Sequence, residues 1–84
     1  MKYCLITLRS VTPGQRGEQL LRRAGLECSL QRTSRAMEAQ GCGYSLRVRQ
    51  KDMPEAVRLL LEHQIPYRKV YLRHENGALE ELAQ

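Results

Sequence analysis

The sequence predicts an α+β fold in which two helices pack on one face of an antiparallel four-stranded sheet. Four segments carry apolar residues at alternate positions, as strands do, and two segments carry them at helical spacing. Turn-forming residues separate these segments, which follow one another as strand, helix, strand, strand, helix, strand. With right-handed crossovers, this order gives a two-layer ferredoxin-like βαββαβ sandwich.

The first half of the chain supplies two strands and a helix. Residues 1–9 alternate with apolar groups on both faces, as is typical of a central strand, and residues 26–31 alternate again. Between them, Thr12 is the expected N-cap, Pro13 is the first helical residue, and a glutamine three residues after the cap completes a capping box. Gly25 is the expected end of this helix.

The second half repeats the pattern after a long connection over residues 32–43, which we expect to be a loop. Residues 44–49 form the third strand, and Asp52 is the expected cap of the second helix. Residues 67–73 form the fourth strand.

The chain divides into one ferredoxin-like domain and a tail. The predicted domain covers residues 1–73, and residues 74–84 form a short acidic tail with at most one frayed helical turn.

Composition narrows the class of protein. The chain has 84 residues, of which 42% are hydrophobic, enough for one small core. No apolar run approaches the roughly 20 residues of a membrane span, and the N-terminus is too short and too alternating for a signal peptide. The three cysteines match no zinc pattern. We therefore expect a cytoplasmic protein with reduced thiols, no bound cofactor or metal, and no membrane partner.

The formal net charge of +5 permits an anionic partner but does not choose one. Nucleic acid, phosphate, a persulfide and an acidic protein surface all fit, and the arginines also fit a merely solvated face. His63 and His74 are lone histidines with no carboxylate pattern to orient them. The sequence contains no nucleophile–base pair, clustered carboxylates or phosphate-binding glycine loop, which argues against a conventional enzyme.

Cys42 is the candidate functional residue because it lies between Gly41 and Gly43, directly before the third strand. Glycines on both sides leave the sulfur uncovered and permit turn conformations that other residues avoid. The opposing interpretation is a tight loop whose middle residue happens to be cysteine. Cys4 and Cys28 lie at alternating strand positions and are expected to be buried small hydrophobes.

The predicted topology gives Cys42 a set of neighbours. The first two strands run toward the same edge of the sheet, so the loop after the first strand and the loop before the third lie side by side. Cys42 is then expected near Ser10, Thr12 and the positive end of the first helix. The arginines on elements that begin or end at the same edge are Arg9, Arg16, Arg32 and Arg35. Such surroundings stabilise a thiolate, which is the reactive form of cysteine.

Two motifs resemble a known family: Tyr-Cys-Leu-Ile-Thr at residues 3–7 and Gly-Cys-Gly-Tyr-Ser-Leu-Arg at residues 41–47. With the arginine-containing loop between them, the chain resembles the putative selenium/sulfur carrier-like family of small bacterial and archaeal proteins, over roughly residues 1–73. Members often have a Pro-Arg pair before the cysteine, and Ser34 and Arg35 occupy that place here.

The resemblance implies one cysteine that carries sulfur or selenium as a persulfide or perselenide, without turnover catalysis. Donor and acceptor proteins are the implied partners, and Cys42 is the carrier thiol. The supporting residues expected around it are Gly41, Gly43, Arg35, Thr12, Ser10 and Arg47.

Two alternatives belong to other functional classes. One is an interaction or regulatory domain that forms a homodimer through its sheet edge or open face. The other is a single-stranded RNA-binding module, in which exposed aromatics of the central strands stack on bases. The Gly-Tyr step at Gly43 and Tyr44 is the only part of the third strand that fits the RNA-binding pattern, because Leu46 and Val48 occupy the later aromatic positions.

Overall fold

Residues 2–32 and 43–82 are described by the computed structural model. The elements in chain order are β1 (Tyr3–Leu8), α1 (Val11–Arg23), β2 (Cys28–Arg32), β3 (Tyr44–Arg49), α2 (Met53–Glu62), β4 (Val70–Arg73) and β5 (Leu79–Leu82). A short 3-10 turn, Gln50–Asp52, leads into α2, and Asp52 occupies the predicted N-cap position. None of the helices in these two ranges is long and apolar enough to cross a membrane.

The strands form one antiparallel sheet in the order β2-β3-β1-β4-β5. β1 lies at its centre, with Ile6 opposite Leu46 of β3 on one side and Val70 of β4 on the other. The α+β prediction with two helices is confirmed, and the first four strands lie in the order that the predicted topology requires. The predicted number of four strands is wrong, because β5 adds a fifth.

β5 lies in the segment that the sequence predicted to be an acidic tail with one frayed helical turn. It pairs along β4, with Leu79 opposite Arg73 and Leu82 opposite Val70. Leu79 packs against Leu5 on the sheet face away from the helices. The segment therefore becomes a strand through tertiary pairing, since β4 would otherwise be an open edge.

The core lies between the helices and one face of the sheet. Cys4, Ile6 and Leu8 of β1 point into it and are fully buried. Helix residues Leu21 and Leu60 meet them there, and both are also fully buried. Both helices therefore cover the same sheet face, as predicted.

Helix α1 begins one residue before the predicted cap. Ser10 is the N-cap residue, with extended backbone angles (φ −141°, ψ 168°), and Thr12 is already helical. The predicted capping box at Thr12 is therefore wrong. Pro13 is tolerated in the first turn because the first N–H groups of a helix have no intrahelical partner. The helix ends at Arg23 with Ala24 as its C-cap, and the predicted stop residue Gly25 follows directly, with a φ of +85° that suits a glycine.

Candidate functional site

One end of the sheet collects the elements that the sequence places around Cys42. β1 and β2 end there, and β3, β4 and α1 begin there. We call this end the arginine rim and define it by Arg9, Ser10, Arg16, Arg32, Gly43 and Arg68. The predicted site residues Cys42, Gly41 and Arg35 lie outside the described residues. Cys42 immediately precedes Gly43 in the chain.

Gly43 lies beside the loop that leaves β1. The last registered pair between the two strands is Leu8 and Tyr44, so the next residues along, Arg9 and Gly43, are also neighbours. A Cβ atom built on Gly43 would lie 3.7 Å from the carbonyl oxygen of Arg9. Ser10 follows as the N-cap of α1. The structure thus brings Ser10, Thr12 and Gly43 to one rim.

The N-terminus of α1 has neither the side-chain cap nor the acidic residue that many helices place there. The Ser10 hydroxyl makes no capping hydrogen bond, and no acidic side chain lies in the first turn. The positive end of the helix dipole is therefore unopposed from within the helix itself. In electrostatic terms, this part of the rim favours a negative charge.

Arg47 lies elsewhere. It is on the sheet face away from the helices, where its guanidinium carbon lies 4.7 Å from the centroid of the Tyr3 ring. It lies four positions after Gly43, which is roughly 14 Å along a strand at about 3.4 Å per residue. The structure therefore does not bring Arg47 to the arginine rim with Ser10, Thr12 and Gly43.

Cys4 and Cys28 are core residues, as predicted. Their exposed fractions are 0% and 5%. Burial raises the pKa of the Cys4 thiol. Burial and the nearby Glu18 carboxylate raise the pKa of Cys28 to about 12, against a smaller lowering by Arg22. Because the thiolate is the nucleophile, both thiols are inert at neutral pH.

The sequence reasoning missed a cleft on the β4 side of the rim. It has a volume of about 360 Å³ and is lined by Arg9, Ser10, Pro13, Pro66, Tyr67 and Arg68. The Arg68 N–H donates to the Thr7 carbonyl at 2.7 Å, and the Thr7 N–H donates to the Lys69 carbonyl at 2.8 Å. These bonds fix residues 66–68 beside the end of β1. The adjacency of the first and fourth strands in the predicted sandwich was the signal that could have found this cleft.

The described part of the chain contains no group of three His, Cys, Asp or Glu residues that could hold a metal ion. His74 pairs with Glu80 at 2.8 Å on the turn between β4 and β5. His63 follows the end of α2 and is exposed.

Comparison with known proteins decides the family. The family model described as "putative Se/S carrier protein-like" matches residues 3–72. The chain belongs to this family. The match runs from the start of β1 into β4 and leaves β5 outside it. No curated protein and no solved structure matches the chain.

For this Se/S carrier-like protein, the described residues supply binding groups for an anion. The rim combines an uncompensated helix N-terminus with guanidinium groups, including Arg9 and Arg68 at the cleft. Guanidinium and backbone N–H groups donate hydrogen bonds to anions and stabilise them. Such a surface can hold a thiolate or a larger anion.

Proposed function

We propose that this protein carries sulfur or selenium on Cys42, as a persulfide or perselenide, between a donor protein and an acceptor protein. The family match supports a carrier of these elements. The observation that carries the assignment to Cys42 is the state of the other two cysteines. Cys4 and Cys28 are buried and their thiol pKa values are raised, which argues against both as carrier thiols and supports Cys42.

The positive charge of the arginine rim is the proposed means of activating the Cys42 thiol. Because Cys42 is bonded to Gly43, and Gly43 lies beside Arg9, we propose that its thiol acts at this rim. A free cysteine has a pKa of about 8.5, and positive charge nearby lowers that pKa toward neutral pH. Ser10, Thr12 and the N-terminus of α1 are the proposed source of that charge, together with Arg9. The contributions of Gly41 and Arg35 are part of the same proposal, whereas Arg47, which lies over the Tyr3 ring, is not.

The transfer step needs no added oxidant. The Cys42 thiolate attacks the terminal sulfur of a donor persulfide, the donor's S–S bond breaks, and the donor cysteine leaves as a thiolate. The terminal sulfur keeps its proton, so Cys42 becomes a persulfide. An acceptor thiolate removes the sulfur by the same exchange. Selenium transfer is the same exchange from a donor perselenide: the Cys42 thiolate attacks the terminal selenium, the donor's S–Se bond breaks, and the donor cysteine leaves as a thiolate.

The experiment is sulfur loading by a cysteine desulfurase with cysteine as substrate, followed by intact-protein mass spectrometry. We expect the wild-type protein to gain the mass of one sulfur atom. Cys42→Ala should lose that gain and Cys28→Ala should keep it. An unmodified wild-type protein, or loading that survives Cys42→Ala, would contradict the proposal.

The two alternatives from the sequence gain less support. Dimerisation through the β2 edge would displace Glu18 and Arg22, which already bond to the outer backbone groups of that strand. The RNA hypothesis relied on Tyr44, which shares its sheet face with buried Leu46 and lies under the guanidinium of Arg32. A base would have to displace Arg32 to stack on that ring.

A further inference from the structure

The arginine rim carries positive charge that the described side chains around it do not balance. Its four arginines are Arg9, Arg16, Arg32 and Arg68. None of them forms an ion pair with a carboxylate of the described ranges. Within residues 2–32 and 43–82, two carboxylates reach the same end of the molecule, and each already forms an ion pair: Glu62 pairs with Arg58, and Glu81 pairs with Lys69.

The opposite end of the sheet has a smaller excess of positive charge, with seven described cations against five described carboxylates. The cations are Lys2, Arg22, Arg23, Arg47, Arg49, Lys51 and Arg73, and the carboxylates are Glu27, Asp52, Glu55, Glu75 and Glu80. Arg49 pairs with Glu27, for example. Among the residues that the structure describes, the larger excess of positive charge therefore lies at the end of the molecule where the chain enters β3.

The cleft beside Arg9 adds an apolar component to the charged rim. Pro13, Pro66 and Tyr67 line its walls, and Arg9 and Arg68 flank it. A further apolar side chain, Val11, is 37% exposed at the start of α1. An apolar pocket with two arginines at its sides is typical of a protein–protein contact, in which one anchor side chain is buried within a polar rim.

We infer that the arginine rim is a docking surface for an acidic protein partner. The partner presents carboxylates to Arg32, Arg9 and Arg68, and one apolar side chain to the cleft. β2 and β4 are three strand spacings apart, so the carboxylates span roughly 14 Å. The inference rests on the proposed function in one respect, since this partner is then the protein that loads or unloads Cys42.

The surface fits an acidic protein better than a nucleic acid. Strong binding of single strands combines cationic tracks with aromatic rings on which bases stack. At this rim, Arg32 covers the ring of Tyr44, and Tyr67 is half-buried in the cleft wall. The cleft between two prolines suits an aliphatic side chain.

The test is an NMR titration of the ¹⁵N-labelled full chain with a synthetic peptide that has a central leucine flanked by glutamates. We expect shifts at Arg9, Ser10, Gly43 and Arg68, with little change at the opposite end, and weaker binding as salt is added. Arg9→Glu combined with Arg68→Glu should weaken binding about tenfold. Lys2→Glu combined with Lys51→Glu, at the opposite end, changes the net charge equally and should weaken binding less than about twofold.

The outcomes separate this inference from the carrier proposal. Peptide shifts spread over both ends, or equal losses in the two charge-reversal variants, would overturn the docking surface. Tighter binding of a single-stranded RNA at the same ionic strength would overturn it in favour of nucleic acid. Cys42→Ala should bind the peptide as the wild type does, so failure of sulfur loading leaves this result unchanged. If the glutamate variant is unfolded by circular dichroism, Arg9→Gln with Arg68→Gln replaces it and should still weaken binding.

Discussion

The Glu18 carboxylate accepts a hydrogen bond from the backbone N–H of Leu30, with 2.8 Å between nitrogen and oxygen, on the outer side of β2. One turn along α1, Arg22 donates from Nε to the Cys28 carbonyl at 3.1 Å. Glu18 and Arg22 also pair with each other. Helix α1 therefore satisfies the backbone of an edge strand and blocks the addition of a further strand there.

Glu18→Ala tests this edge protection. The change leaves the Leu30 N–H without its charged acceptor, and we expect the free energy of unfolding to fall by about 1–2 kcal/mol. Glu18→Gln keeps an acceptor oxygen and should cost less than half as much. Urea unfolding measures both values. Equal losses in the two variants would contradict a role for the hydrogen bond.

Gly17 allows α1 to approach the sheet closely. A Cβ atom there would lie 2.9 Å from Cδ1 of Leu46 and 3.1 Å from Cδ2 of Leu60, and both leucines are fully buried. We expect Gly17→Ala to destabilise the protein by about 1–2 kcal/mol, because overpacking exceeds the gain in helix propensity.

Gly14→Ala is the matched control on the same helix. Its added Cβ would meet Leu30 at 2.7 Å, but Leu30 is only half-buried and its side chain can rotate toward solvent. Thermal unfolding should therefore show little change or a small gain for Gly14→Ala. Equal destabilisation of both variants would mean that core contact at Gly17 is not the cause.

The buried Cys28 thiol makes the free energy of unfolding fall at high pH. Its pKa is raised from 9.0 to about 12 in the folded state, chiefly by burial. Between these values the unfolded chain has lost the thiol proton and the folded chain retains it, so rising pH favours unfolding. Cys28→Ala lacks this titration. The stability of the wild type relative to this variant should shrink as the pH rises above about 9. Urea unfolding over a pH series measures it, and a constant difference would contradict the raised pKa.

Leu79 tests the contribution of β5. It is half-buried and packs against Leu5 and Tyr71 on the face without helices. We expect Leu79→Ala to reduce the free energy of unfolding by about 1–2 kcal/mol, below the cost at a fully buried leucine. Leu61→Ala is the control, since Leu61 is 63% exposed and should change stability by less than about 0.5 kcal/mol. A reversed order would contradict the packing of β5.

The four strands with alternating apolar side chains were predicted from the sequence. β5 was missed because its extended form depends on pairing with β4. Ile6 and Leu46 lie in segments with clear period-2 patterns. β5 has apolar residues only at Leu79 and Leu82, a spacing that suits a helical turn equally well. Its two glutamates add no strand signal, so only the open edge of β4 selects the extended form.

The part of the site that was predicted from the sequence is the part that the strand order and strand directions determine. Strand direction was enough to bring Gly43 beside the loop after β1. The Ser10 cap was missed because Thr12 directly precedes a proline and imitates a capping box. Arg68 was missed because it lies 59 positions after Arg9 in the chain, and only the β1–β4 pairing brings them to one cleft.

The carrier account is tested most directly by locating the transferred sulfur. After loading by a cysteine desulfurase, the wild-type protein is alkylated to trap persulfides, digested, and mapped by tandem mass spectrometry. We predict that the trapped persulfide lies on the peptide containing Cys42, while Cys4 and Cys28 remain unmodified because they are buried. Persulfide on either buried cysteine, or none on Cys42, would contradict the account.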